Sequence, residues 1–466
     1  MSKTRSEKSN KAIEKLTDNL GMKALEGFFD FKEKGTSLKT EVIAGLTTFM
    51  TMAYIIFVQP AVLAQAGMDF GAVMMATCLS AAIATLVMGL YANYPIGVAS
   101  GMGENFFFVF TVVLGMGFAW QKALGAVFIS GVLFIVLTIF KIREMIVDAV
   151  PQSLKDSIAG GIGLFIAFIG LLQSGIIEKS PAGILSLGDL TKVPVLLSIF
   201  GLTITVILMT RGITGAILIG ILLSAILGLF VGVIHYPGSI VSFPPPLSPT
   251  FLKMDIRGAL ETDFITVTVV FLFMVMFDTI GTLIGVAEVA GFLRNGRLPR
   301  ASRALMADAV GTTVGAALGT STVTAYIESI TGVSQGGRTG FVAVIISILF
   351  LLSIPFYPIV RMVGGGYEVS HGVFIYPITA PALVIVGSLM IQAVKNVKWD
   401  DFTEGIPAFL TLIGIPFTFS IADGLCFGFI SYPLLKLLSR KGKTVSWLIY
   451  LLGVLSIARY LFLSIR

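Results

Sequence analysis

Four acidic side chains lie within otherwise apolar stretches, and they are the residues of this sequence best suited to chemistry. Glu104, Asp278, Glu288 and Glu328 all have mainly hydrophobic or small neighbours along the chain. A buried carboxylate can accept hydrogen bonds from the N–H groups of a ligand, and it can take up and release a proton. Because burying such a group in apolar surroundings is costly, we expect these residues to serve binding or proton transfer.

Each carboxylate also has a structural interpretation. Asp278 could form a structural hydrogen bond or end a helix, and Glu104 and Glu328 could stabilise the N-terminus of a short helix. Glu288 is followed closely by an arginine-rich stretch, so a solvated position at a helix end is the favoured interpretation there. Asp278 and Glu328 are therefore the favoured functional pair.

The composition indicates what kind of protein must position these groups. The chain has 466 residues, of which 56% are hydrophobic and only 12% are charged. Soluble domains have about 25% charged residues, so we predict an integral membrane protein. A membrane span needs about 20 apolar residues, and the chain beyond residue 40 has room for about fourteen spans. This composition excludes a soluble enzyme, a nucleic-acid-binding module and a receptor with a single anchor.

Cysteine and histidine are too scarce for a disulfide framework or a metal centre. Cys78 and Cys426 both lie in apolar runs, and the chain has only two histidines. We therefore expect no metal, no cofactor and no enzymatic activity. The net charge of +6 is interpreted as loop charge that sets membrane orientation, not as a surface for nucleic acid.

The hydrophobic pattern predicts an all-α polytopic membrane protein with fourteen transmembrane segments, arranged as two inverted repeats of seven. The predicted spans are 41–63, 72–92, 97–116, 121–140, 157–172, 193–210, 213–234, 263–284, 303–318, 320–332, 340–360, 372–393, 404–420 and 421–438. The predicted divisions are a cytoplasmic tail at 1–40, a first repeat at 41–234, a linker at 235–262, a second repeat at 263–438, and a basic loop with an extra apolar helix at 439–466. Residues 445–463 either cross the membrane or lie on its surface.

Basic residues predict the orientation. Nine Lys and Arg residues precede the first span, which places the N-terminus in the cytoplasm. Three later basic clusters fall on the same side when the spans are counted alternately: Lys141, Arg143 and Lys155; Arg294, Arg297, Arg300 and Arg303; Arg440, Lys441 and Lys443. We predict a multi-pass protein of a cell membrane, a bacterial inner membrane being favoured.

The third span of each predicted repeat is interrupted by small and polar residues. The interruptions are 99–106, which contains Gly101 and Gly103, and 319–328, which contains a Thr/Ser-rich run. Non-helical backbone at membrane depth survives only where protein or a water-filled cavity satisfies it. We expect half-helices to start near Glu104 and Ala325 and to face a ligand at the midplane. The alternative is that the glycines only permit close helix packing.

Several segments together resemble a known family of transporters. They are residues 41–54, Gly101-Met-Gly103 with Asn105, 277–285, 319–340 and 421–424. From about Thr40 to Leu438 the chain resembles the purine permeases of the nucleobase–cation symporter-2 type, in the branch of adenine/guanine/hypoxanthine permeases. The resemblance implies import of a nucleobase, with a purine (adenine, guanine, hypoxanthine or xanthine) favoured, by symport with a proton or with Na⁺.

The resemblance also implies an architecture. A core domain, 41–140 with 263–360, would carry the substrate past a gate domain, 157–234 with 372–438. Short extended strands would precede half-helices in spans 3 and 10. Alternating access would be elevator-like, and the gate domain could form a homodimer contact.

Site residues follow from the same resemblance. Asp278 and Glu328 would hydrogen-bond the base, and Asn105 would assist them. The other expected substrate-binding residues are Glu104, Phe106, Thr282 and Thr322, with Phe106 stacking on the base. Proton coupling is expected at Asp278, Glu328 and Glu104.

The sequence departs from the branch around this site. Glu104 and Phe106 replace the usual Leu and Ala, Ser100 replaces a Pro, Val275 replaces an Asp, and Gln59 replaces an Asn. One carboxylate is thus lost on span 8 and one is gained on span 3. Two alternatives stay open, a symporter of uracil or another nucleobase-like molecule, and an anion transporter or channel of the same architecture. Paired site carboxylates would repel an anion.

Overall fold

The structure is a computed structural model that describes residues 26–140, 149–180, 185–293, 298–370 and 373–464. Parts of the predictions lie outside these ranges. They are residues 1–25 of the predicted tail with six of its nine basic residues, residue 372 at the start of the predicted span 372–393, residues 465–466, and four residues of the later basic clusters, Lys141, Arg143, Arg294 and Arg297.

The described chain is mainly helical. Its α-helices are α1 (Leu38–Met52), α2 (Ile55–Ala64), α3 (Phe70–Val87), α4 (Met102–Phe106), α5 (Trp120–Ile139), α6 (Gln152–Gln173), α7 (Val193–Thr210), α8 (Ala216–Phe230), α9 (Ile256–Ala259), α10 (Thr262–Ala290), α11 (Ala301–Leu318), α12 (Ser329–Ser334), α13 (Phe341–Ser353), α14 (Tyr357–Gly364), α15 (Ala380–Met390), α16 (Phe402–Thr418), α17 (Ile421–Leu438) and α18 (Trp447–Ser464). Among the described residues, eight helical segments are long and apolar enough to cross a membrane, and five shorter apolar helices accompany them. The multi-pass helical fold is therefore confirmed, whereas the count of fourteen spans stays a prediction.

Three predicted spans are interrupted in the structure. Span 1 divides into α1 and α2 around Ala53 and Tyr54. Span 3 consists of strand β1 (Val98–Ser100), the short helix α4 and a π-helical stretch at Phe107–Gly115. Span 10 consists of strand β4 (Val323–Ala325) followed by α12. The second half-helix begins at Ser329 instead of near Ala325, because residues 323–325 are held extended by pairing with β1.

Strands β1 and β4 form an antiparallel ribbon that joins the two interrupted segments. Val98 pairs with Ala325 and Ser100 pairs with Val323. The outer edges of the ribbon are satisfied by threonines on the preceding long helices. Thr85 donates to the carbonyl of Val98 at 2.8 Å and accepts from its N–H, and Thr312 does the same for Val323, donating at 2.9 Å. The outward backbone groups of Val98 and Val323 are thereby satisfied within the protein, as a strand inside a membrane requires.

Two further hairpins lie away from this ribbon. They are formed by β2 (Ile177–Lys179) with β3 (Leu185–Leu187) and by β5 (Tyr367–Ser370) with β6 (Val373–Ile375). Most of their side chains are exposed or half-buried.

The C-terminal segment, for which the sequence left two positions open, is the helix α18. It packs along α17, and the hydroxyl of Tyr460 donates to Asp423 in the first turn of α17 at 3.0 Å. Large apolar side chains such as Trp447 and Val454 remain exposed on α18, as is expected of a surface that faces lipid.

Candidate binding site

Glu328 lies between β4 and α12, at the residue before the helix begins. Its side chain makes no capping hydrogen bond to α12, and its position at the N-terminus leaves only a charge–dipole interaction as its structural role. Instead Oε1 accepts a hydrogen bond of 2.9 Å from the hydroxyl of Tyr54, at the break in span 1. Glu328 as a whole is half-buried.

Asp278 lies near the middle of α10, far from either helix end, so it does not cap that helix. The side chain of Thr324 on β4 lies beside its carboxylate, and α10 packs against this strand of the ribbon. Like Glu328, Asp278 is half-buried. The two carboxylates favoured from the sequence therefore both lie at interrupted spans. Asp278 lies beside Thr324 in span 10, and Glu328, itself in span 10, is hydrogen-bonded to Tyr54 in span 1.

Glu104 is a buried carboxylate in the first turn of α4. It is 1% exposed, and neither Oε1 nor Oε2 has a hydrogen-bond partner among the described residues. Its side chain folds back over the strand–helix junction, where Oε2 lies against Gly101. The lack of a side chain at Gly101 leaves room for the carboxylate in this position, and the carboxylate has no donor among the described residues.

The structure brings these three carboxylates together. Asp278 lies close enough to both Glu104 and Glu328 for their charges to interact through space. Tyr326 lies near all three, and its hydroxyl donates to the carbonyl of Ser100 at 2.6 Å. Within the described ranges, none of the three carboxylates forms an ion pair with a lysine or arginine. Buried negative charge without a cation is costly, and binding a proton or a hydrogen-bond donor relieves that cost.

Asn105 faces protein side chains instead of open space. Its amide N–H donates to Oε1 of Gln59, and its Oδ1 accepts from the hydroxyl of Ser321. Asn105, Gln59 and Ser321 are all fully buried. The structure shows which side chains hold Asn105 in place, and its expected contact with the base stays a prediction.

The remaining predicted residues differ in their burial and in their partners. The hydroxyl of Thr322, next to β4, is fully buried and has no hydrogen-bond partner among the described residues. Thr282 follows Asp278 by one turn of α10 and is buried. Phe106 is fully buried, and its ring stacks on that of Phe110 with centroids 5.7 Å apart. Glu288, which was interpreted as solvated, lies exposed in the last turn of α10.

The sequence argument missed several residues that complete this arrangement. They are Tyr54, Asp308, Thr324 and Tyr326, whereas Gln59 had been noted only as a departure from the branch. Asp308 carried a usable signal, since it is an acidic residue inside a predicted span. It is fully buried on α11, accepts from the hydroxyl of Thr279 at 2.8 Å, and lies near enough to Glu104 for their charges to interact. The others are neutral residues whose importance depends on partners remote in sequence.

A site of this kind can bind a flat polar ring. Carboxylates accept hydrogen bonds from ring or exocyclic N–H groups, and a hydroxyl such as that of Thr322 can donate to a ring nitrogen or carbonyl. The absence of a paired lysine or arginine among the described site residues disfavours an anionic ligand.

Comparison with known proteins agrees with this chemistry. The sequence model described as the Permease family matches residues 39–425. The chain belongs to the Permease family. A putative permease of Methanocaldococcus jannaschii is 54% identical to this permease over 95% of its length and 99% of the relative. The resemblance to nucleobase–cation symporter-2 permeases is thereby confirmed, and the chain is a membrane transporter, not an enzyme.

Two relatives carry names that state a substrate. The guanine/hypoxanthine permease PbuG of Bacillus subtilis is 44% identical over 94% of this permease and 100% of the relative. The adenine permease AdeP of Escherichia coli is 42% identical over 96% and 98%, respectively.

Among solved structures, the transmembrane domain of the cyanobacterial bicarbonate transporter BicA superposes with a TM-score of 0.60. The match covers 84% of this permease and 97% of that domain at 13% sequence identity. At this identity the likeness shows the fold alone.

Proposed function

We propose that this permease imports a purine base (adenine, guanine, hypoxanthine or xanthine) by symport with a cation, a proton being favoured over Na⁺. One observation carries the proposal. Glu104, Asp278 and Glu328 lie near one another at the β1–β4 ribbon, and none of them pairs with a lysine or arginine of the described residues. Relatives named for adenine and for guanine/hypoxanthine support the purine class.

The chemistry of a purine edge fits these side chains. Asp278 and Glu328 accept N–H groups of the base, Thr322 and Thr282 supply hydroxyls, and Phe106 provides the apolar wall beside the ring. Three carboxylates without a paired lysine or arginine among the described residues favour a neutral or cation-coupled substrate over an anion. The fold is nevertheless similar to that of a bicarbonate transporter. Uracil is a smaller base with the same edge chemistry, so it is the alternative that a substrate panel must separate.

Cation coupling follows from the same carboxylates. A substrate that arrives alone leaves negative charge buried, whereas a co-bound proton removes one of the charges. Glu104, Asp278 and Glu328 are the proposed proton carriers, since they lie near one another and interact electrostatically.

The proposed architecture is the inverted pair of seven-span repeats. It is supported by the matched construction of the two breaks, where Thr85 holds Val98 and Thr312 holds Val323 in the same way. On this proposal the core carries the bound base across the membrane against the gate in an elevator-like motion. The gate would provide a homodimer contact, and the N-terminus would be cytoplasmic, in a bacterial inner membrane.

A competition panel tests the substrate class. Uptake of radiolabelled hypoxanthine is measured in cells that lack their own purine uptake, with unlabelled adenine, guanine, xanthine, uracil and bicarbonate as competitors, with and without a proton gradient. We expect purines to compete and dissipation of the gradient to reduce uptake. Competition by uracil but by no purine, or by bicarbonate alone, would contradict the proposal.

Replacement of Glu104 separates a ligand or proton-carrying role from a structural one. Glu104→Leu restores the residue usual in the branch and removes a buried carboxylate that has no protein donor. We expect this variant to change base preference or to uncouple uptake from the proton gradient. Unaltered selectivity and coupling would mean that Glu104 only stabilises the start of α4.

Removal of the Tyr54 hydroxyl tests whether Glu328 must be held in place. Tyr54→Phe deletes the 2.9 Å hydrogen bond to Glu328. We expect KM to rise by about 10-fold, since hydrogen bonds to charged groups contribute roughly 1.5–3 kcal/mol. Tyr432→Phe is a matched control, because Tyr432 donates to Glu404 at the same 2.9 Å distance elsewhere in the fold. An equal change of KM in both variants would show a general effect of losing a tyrosine hydroxyl.

A further inference from the structure

The side chains of Gln59, Asn105 and Ser321 form a closed ring of hydrogen bonds. Ser321 donates to Oδ1 of Asn105, Asn105 donates through Nδ2 to Oε1 of Gln59, and Gln59 donates through Nε2 back to Oγ of Ser321 at 3.1 Å. Each member both donates and accepts once within the ring.

The ring joins the three broken spans on which the site is built. Gln59 lies on α2 of span 1, Asn105 on α4 of span 3, and Ser321 on the segment that leads into β4 of span 10. Further polar contacts extend it. Gln59 also donates to Thr320 at 2.9 Å, and the hydroxyls of Thr320 and Ser100 lie 3.2 Å apart. All of these side chains are fully buried.

The residues next to the ring have the opposite character. Glu104 precedes Asn105 and Thr322 follows Ser321, and both are buried with side-chain oxygens that lack a partner among the described residues. A backbone hydrogen bond also joins the two breaks here, since the N–H of Gly101 donates to the carbonyl of Thr322 at 3.0 Å. In each break, therefore, one side chain, Asn105 or Ser321, is hydrogen-bonded within the protein. Its neighbour, Glu104 or Thr322, keeps oxygen atoms that can bind a ligand.

We infer that Gln59 is a positioning residue for the substrate site, and that Asn105 acts with it through the ring instead of hydrogen-bonding the substrate. The ring fixes the relative position of α4 and the approach to β4, and thereby fixes where Glu104 and Thr322 present their free oxygens. This inference rests on the proposed purine function. It assigns a role to Gln59. It also changes the role expected of Asn105, from a residue that binds the substrate to one that holds the site in position.

A double-mutant cycle on equilibrium binding tests the inference. Kd values of adenine, hypoxanthine and guanine are measured on purified full-length protein for wild type, Gln59→Ala, Asn105→Ala and the double variant. Because either substitution opens the ring and strands its buried partners, we expect each to raise Kd by about 5- to 50-fold. We expect the double variant to bind no more weakly than the single variants, since a ring already open cannot be opened twice.

Two features of the binding data distinguish positioning from a merely structural role. Loss of fold lowers the melting temperature and the fraction of active protein, but it leaves the Kd of the folded fraction unchanged. A positioning role instead raises Kd by the same factor for all three bases. The reason is that Gln59, Asn105 and Ser321 do not contact the edge of the base at which adenine, hypoxanthine and guanine differ. Gln59→Asn, which keeps the amide but shortens its reach, gives an intermediate Kd and covers the case in which the alanine variant does not fold.

Gln65→Ala is the matched control, since Gln65 follows α2 and is also hydrogen-bonded, to Gln173 and to the carbonyl of Ala61. It should leave Kd unchanged. Two results would show that Asn105 touches the substrate: additive effects of Gln59→Ala and Asn105→Ala, or a change in Kd confined to one base for Asn105→Ala. Either result would overturn the positioning role and leave the proposed function standing. A wild-type protein that binds none of the three bases would overturn the proposed function, and the positioning role with it.

Discussion

Glu328→Gln is expected to abolish uptake or to weaken it strongly while the protein remains folded in the membrane. The glutamine keeps an oxygen that can accept the hydrogen bond of Tyr54, so the local packing is retained. It replaces the other carboxylate oxygen by an NH₂ group, which cannot accept an N–H of the base. A lost charged hydrogen bond of about 1.5–3 kcal/mol corresponds to an affinity reduced roughly 10- to 150-fold.

The measurement is initial-rate uptake over a range of base concentrations, normalised to the amount of protein in the membrane. Glu261→Gln is a suitable control, because the side chain of Glu261 is 63% exposed and pairs with Lys122 away from the site. Wild-type kinetics in a well-expressed Glu328→Gln variant would remove Glu328 from the site.

Asp278→Asn is the second substitution with a large expected effect. Asp278 lies near both Glu104 and Glu328, so removing its charge changes the surroundings of both carboxylates. The amide retains a group that can accept from Thr324, but it cannot take up a proton. We expect weaker binding of the base, or transport that no longer depends on pH between about pH 5 and pH 8, where a buried carboxylate can exchange its proton.

The same pH series on Glu288→Gln is the control, since Glu288 lies on the same helix but is exposed in its last turn. Its pH dependence should match that of the wild type. If Asp278→Asn transports normally across the whole pH range, then Asp278 serves only to tie α10 to Thr324.

Much of this site was predictable from local sequence. Gly101 and Gly103, and the Thr/Ser-rich run at 320–324, predicted interrupted spans because they favour extended backbone over helix. Carboxylates in apolar segments predicted the charged residues, and the family resemblance predicted that Asp278 and Glu328 would meet. Glu104 was expected at the site as well, and the structure adds that its carboxylate has no hydrogen-bond partner among the described residues.

What could not be predicted depends on contacts between remote residues. The ring closes between Gln59 and Asn105, 46 residues apart, and between Asn105 and Ser321, 216 residues apart. No periodicity encodes such an approach. The break in span 1 at Ala53 and Tyr54 was also missed, since neither residue is a glycine or a proline. Pro60, the residue in that span expected to disrupt a helix, lies inside α2 instead.

Uptake by purified protein in liposomes tests the central claim most directly. The protein is reconstituted, an inward proton gradient is imposed, and the accumulation of radiolabelled adenine, guanine and hypoxanthine is followed with Glu328→Gln as the inactive reference. We predict that at least one of these purines accumulates above its external concentration and that a proton ionophore abolishes the accumulation. Equal internal and external purine concentrations under both proton and Na⁺ gradients, or transport of bicarbonate in place of purines, would contradict the account.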